Sequence, residues 1–98
     1  MNLKITQIES FISQLEATKN NLPNRYLQSK ILNILEQLIV IKDTDNWHRF
    51  DQLKTMIKSL REPYDGQSGE LRDEEVKRLI LSAYDELIGI LKSYIPVE

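Results

Sequence analysis

His48 is the only imidazole in the chain, and there is no cysteine, so metal binding or general-base chemistry would have to start from that one side chain. Asp45 and Asp51 stand within one helical turn of it. Zinc normally takes three or four protein ligands, and carboxylates would have to replace the usual thiolates and further imidazoles. A weak transition-metal site on a symmetric dimer would use these three residues. A solvent-facing histidine near a helix start accounts for them equally, and no metal is assigned. Asp43, Asp45 and Asn46 resemble the opening of a calcium loop, but its fifth, sixth and twelfth positions fall on Trp47, His48 and Lys54. A calcium loop needs a ligand, a glycine and a bidentate carboxylate there.

Nucleophilic catalysis fares no better. Serines are present, yet nothing in the order of residues sets an activated nucleophile beside His48 or supplies oxyanion donors. The Glu-x-x-His pair of di-iron bundles is absent. Gly66, Gly69 and Gly89 make no phosphate-binding fingerprint, and the Asp65 to Gly69 stretch follows no strand pattern. The expectation is a nonenzymatic protein without a cofactor.

The elements that would position any surface chemistry are four amphipathic segments. Ile5, Ile8, Ile12 and Leu15 recur at three- and four-residue steps, with Phe11 widening the stripe, and predict a helix over about 3–20. Asn20-Asn21-Leu22-Pro23 ends it, because proline cannot continue a helix but suits the first turn of the next. A second helix over about 24–42 carries Leu27, Ile31, Ile34, Leu38 and Ile41, with Leu32, Leu35 and Ile39 as a second apolar row. Asp43 to Asn46 breaks it and offers Asp45 as the N-cap of the third. That third helix, about 46–61, has Phe50, Leu53, Ile57 and Leu60 on its inner side with Met56 beside them. Pro63, Gly66 and Gly69 mark a long linker. The fourth helix, about 72–94, opens with acidic residues in its positive first turn. It carries Val76, Ile80, Ala83, Leu87, Leu91 and Tyr94, plus a second row of Leu81, Ile88 and Ile95 at seven-residue spacing.

The surplus apolar rows on the second and fourth helices are the strongest functional signal, since a helix covered on one side needs a single stripe. They have two explanations. A central helix touching several neighbours needs a wide apolar arc, and a helix that docks another chain does too. On the second explanation Leu81, Ile88 and Ile95 form a seam for self-association. The expected core is Ile8, Ile12, Leu15, Ile31, Ile34, Leu38, Phe50, Leu53, Ile57, Ile80, Leu87 and Leu91.

A second candidate surface lies on the third helix, where Trp47, Lys54, Lys58 and Arg61 fall on one side at helical pitch. An aromatic followed by cations can hold an acidic protein, a nucleic-acid backbone or an anionic ligand. The competing explanation is that Trp47 covers the end of the core while the basic stems run along its edge. Charge is also polarised. Six acids face only Arg72 between Glu62 and Glu75, whereas seven bases outnumber four acids between Asn24 and Arg61.

Ninety-eight residues, 41% hydrophobic and 29% charged, describe one domain with a single core. The net charge of -2 provides no field to hold a polyanion, so nucleic acid is not implied for the chain on its own. The N-terminal residues lack the apolar core of a secretion signal. The longest apolar run, Leu38 to Ile41, is far below the roughly 20 residues that span a bilayer. The absence of cysteine suits a reducing compartment, and the cytoplasm is expected.

Three short connections favour antiparallel neighbours, so the expectation is an all-α, single-domain four-helix bundle, up-down-up-down, with an orthogonal bundle as the alternative. In size and helix count the chain resembles small bacterial immunity proteins, phage-encoded inhibitors and the helical adaptor domains of prokaryotic defence systems; the resemblance carries over no site residues. The expected function is a protein–protein interaction module acting by self-association or attachment to a protein partner. The alternatives are a stand-alone inhibitor or immunity-type protein, and a small accessory subunit of a nucleoprotein assembly working through Lys54, Lys58 and Arg61.

Overall fold

The computed structural model describes residues 4–21, 26–40, 46–60 and 74–95. They form four helices and, among the described residues, no strand: α1 (Ile5–Asn20), α2 (Leu27–Val40), α3 (Trp47–Ser59) and α4 (Glu74–Lys92). No helix among them is long and apolar enough to cross a membrane. Proline 23, Ile41, the Asp43–Asp45 stretch, Arg61 and the acidic linker up to Asp73 lie outside the described residues.

Helix ends are fixed mostly by long-range partners. α1 begins after Lys4, whose backbone N–H donates to the Gln7 side chain at 3.3 Å; this replaces the usual small polar cap. The N-cap of α3 is Asn46 rather than the expected Asp45, and its side chain does not cap the helix. The Asn46 amide instead donates to the Tyr94 hydroxyl at 2.8 Å, joining the start of α3 to the end of α4. At the same corner the Trp47 indole N–H donates to the Ile39 carbonyl at 2.8 Å. At the opposite end the Gln28 amide donates to the Ile57 and Leu60 carbonyls at 2.9 and 3.0 Å. The Trp47 and Gln28 bonds all meet carbonyls in the last turn or at the cap of a helix, where the i to i+4 ladder runs out; the Ile57 carbonyl also accepts from the Leu60 backbone N–H at 3.1 Å. The two sets together show that α2 and α3 run antiparallel.

All twelve expected core residues are buried, joined by Phe11, Leu27, Leu35, Val76, Ala83, Tyr84 and Ile88. Ile5, from the first stripe, is instead 44% exposed. α2 and α4 each pack against all three other helices, whereas α1 and α3 do not pack against each other. That arrangement explains the wide apolar arcs. A helix with three neighbours buries more than one stripe, so Leu35 and Ile88 are buried while Leu32, Ile39, Leu81 and Ile95 lie partly buried against the same core.

Candidate interaction surface

On the outer side of α4 five of the ionisable groups, Glu75, Arg78, Asp85, Glu86 and Lys92, are tied down within the chain. Lys19 pairs with Asp85, Glu16 with Lys92 at 3.4 Å, and Glu75 with Arg78. Arg49 on α3 grips Glu86 through two guanidinium nitrogens and also donates to Gln52 at 3.1 Å. Hydrogen bonding to Glu86 raises the Arg49 pKa above its ordinary value, as Glu75 does for Arg78. These pairs are exposed and screened, and each contributes little to stability. They do fix the side chains bordering α4.

Between these pairs, Leu81 and Ile88 each line a shallow depression, and Asp85 borders both. Ile88 is 8% exposed, so its surface is almost wholly spent on its own chain. Ile95 is partly buried against the core beyond the end of α4. The three residues therefore offer an edge at Leu81 and Ile95 rather than a continuous open seam.

The aromatic-cation ridge is assembled in part. Trp47 is half-buried, its indole N–H is held by Ile39, and its ring meets that of His48 edge-on at 5.2 Å. Lys54 is half-buried, Lys58 is exposed, and both share the Trp47 face of α3. Arg61 lies outside the described residues. Trp47 thus closes the corner between α2 and α3, the packing role set out above. His48 is exposed, and among the described residues no three His, Asp or Glu side chains converge.

The outer face of α2 has a different character. Tyr26 at its start is 66% exposed and Val40 at its end 79%, two of the three large apolar side chains most open to solvent among the described residues. Ser29, Asn33, Glu36 and Gln37 lie exposed between them, with Lys30 half-buried at the border. Gln37 donates to the Asn33 side chain and carbonyl, both at 3.4 Å. Lys30 and Glu36 form no ion pair among the described residues. Leu32 and Ile39 extend the apolar surface along one flank, partly buried.

Apolar periodicity alone does not reveal this face. Tyr26 and Val40 are not part of the inner stripe, and their meaning depends on learning that they stay exposed once the described helices have packed. The seven-residue steps from Tyr26 to Asn33 to Val40 were the available signal. No protein-family model, curated protein or solved structure matches this chain.

Proposed function

We propose that the chain is a nonenzymatic protein–protein interaction module whose docking surface is the outer face of α2. The observation carrying this reading is the exposure of Tyr26 and Val40 at the two ends of a helix face where only Lys30 and Glu36 are charged. Interface centres are depleted in charge and enriched in tyrosine, and their apolar side chains gain most by leaving water. On α4, by contrast, Glu75, Arg78, Asp85, Glu86 and Lys92 already have intramolecular partners. Attachment through α2 would leave the core and the ion-paired faces undisturbed, as an adaptor requires.

A photoreactive amino acid placed at Ser29 or Asn33 on α2, and for comparison at Thr55 on α3 or Ser82 on α4, tests this in the protein's native cells. Discrete crosslinked protein bands are expected from the α2 positions alone. Equal crosslinking from all faces, or none from α2, overturns the assignment.

A further inference from the structure

We propose that the occupant of the α2 face is a second copy of the chain, docked with the two α2 helices antiparallel about a two-fold axis at Asn33. The inference rests on the interaction-module reading and gives that module its partner. Its basis is a symmetry in the exposed residues. Asn33 lies seven residues from both Tyr26 and Val40, and three residues from both Lys30 and Glu36. A two-fold axis at Asn33 therefore sets Tyr26 against Val40 of the second copy, and Lys30 against Glu36 of the second copy, each twice. An isologous contact demands such self-complementarity, because one patch must fit itself when reversed.

The outer faces of α3 and α4 do not meet that demand. Lys54 and Lys58 on α3 would bring cations together, and Arg78, Asp85 and Lys92 on α4 would have to leave Glu75, Lys19 and Glu16. On α2 the charged groups without an ion pair among the described residues are of opposite sign and fall opposite each other when the helix is reversed. Tyr26 and Val40 supply the apolar area, and complementary charge fixes the register. Asn33 accepts from Gln37 and keeps its own amide hydrogens for Asn33 of the second copy. On the two-fold axis the two Asn33 amides meet each other, so their pairing favours this one alignment of the helices.

Sedimentation equilibrium from low to high micromolar concentration tests the proposal. The wild-type mass is expected to climb from 11.5 kDa toward twice that value. Lys30→Glu and Glu36→Lys each place like charges opposite one another, and each is expected to weaken the dimer by roughly ten-fold or more. The double exchange restores opposite charges and is expected to recover most of the affinity. Val40→Arg, at a position too exposed to support the core, is expected to abolish the dimer with the helical circular dichroism intact. A wild-type chain that stays at 11.5 kDa overturns the second copy as occupant. If α2 still crosslinks to a different protein, the module reading survives that result; if it crosslinks to nothing, both fail. A double exchange no more associated than the single variants overturns the register.

Discussion

The Tyr84 hydroxyl, in the middle of α4, donates to the Leu27 carbonyl in the first turn of α2. Tyr84 has no exposed surface, and Leu27 has none either. The bond crosses between the two helices that each touch all the others, so it pins the start of α2 to the centre of α4. It also makes this buried phenol polar at one point and apolar everywhere else, a combination that tolerates burial only when the hydroxyl finds a partner.

Tyr84→Phe removes that bond with little change of shape, and is expected to cost about 1 kcal/mol at neutral pH. Burial pushes the Tyr84 hydroxyl above the ordinary phenol range, the backbone of Ile31 offsetting part of the shift. A pKa raised by folding means that the stabilisation is complete below the unfolded value of about 10 and is lost as pH rises toward the folded value, by about 1.4 kcal/mol per pH unit. Urea titrations across that range are expected to show wild type losing its advantage over Tyr84→Phe above pH 10. Parallel curves would show that the hydroxyl does not ionise with a folded-state shift.

Ile88→Glu separates core from seam on α4. With Ile88 8% exposed among helices of its own chain, the introduced carboxylate would lose water at a core contact, and the bordering Lys19 and Lys92 would have to leave Asp85 and Glu16 to reach it. The expected result is loss of the helical circular dichroism signal together with any assembly. Retained helix with lost assembly would return the Leu81, Ile88 and Ile95 row to an intermolecular role. Leu87→Ala, at a side chain with no exposed surface, is expected to cost about 2 to 5 kcal/mol by opening a cavity.

Gln28 supplies both amide hydrogens to the C-terminal carbonyls of α3. Gln28→Ala leaves those carbonyls to water and is expected to destabilise by about 1 to 2 kcal/mol. Trp47→Phe at the other corner keeps most of the ring but loses the donor to Ile39, and is expected to cost about 1 kcal/mol. Native-state hydrogen exchange should localise both losses to the α2–α3 pair. Loosening confined to α1 instead would show that these bonds do not hold the corner.

Helix count, positions and core were legible because α1 to α4 repeat apolar residues at a spacing only a helix reconciles, and every one of the twelve expected core residues is buried. Burial also took in Tyr84, which periodicity hides because its hydroxyl reads as polar until Leu27 is seen to accept from it. The N-cap of α3 is Asn46 rather than Asp45, and its side chain leaves the helix uncapped because its amide is bonded to Tyr94. The excess apolar rows carried an ambiguity that sequence alone does not remove. Which helix faces three neighbours depends on the packing order, and that order assigns Leu35 and Ile88 to the core. The same order leaves Tyr26 and Val40 exposed, so the candidate surface emerges from what the packing of the described helices leaves open to solvent.

Gly89 offers a test of how α4 is used. A Cβ built there meets no atom within 4 Å, so the fold of the single chain has no steric need for glycine at this position. Glycine inside a helix is less favourable than alanine by about 0.5 to 1 kcal/mol, because it surrenders more backbone freedom on folding. Gly89→Ala is therefore expected to stabilise the chain by about that amount, read as a higher urea midpoint with an unchanged slope. It should leave the mass in sedimentation equilibrium as it is in wild type, since docking through α2 does not involve this face. A variant that gains stability but loses association would place another backbone against Gly89 and move the docking surface from α2 to α4.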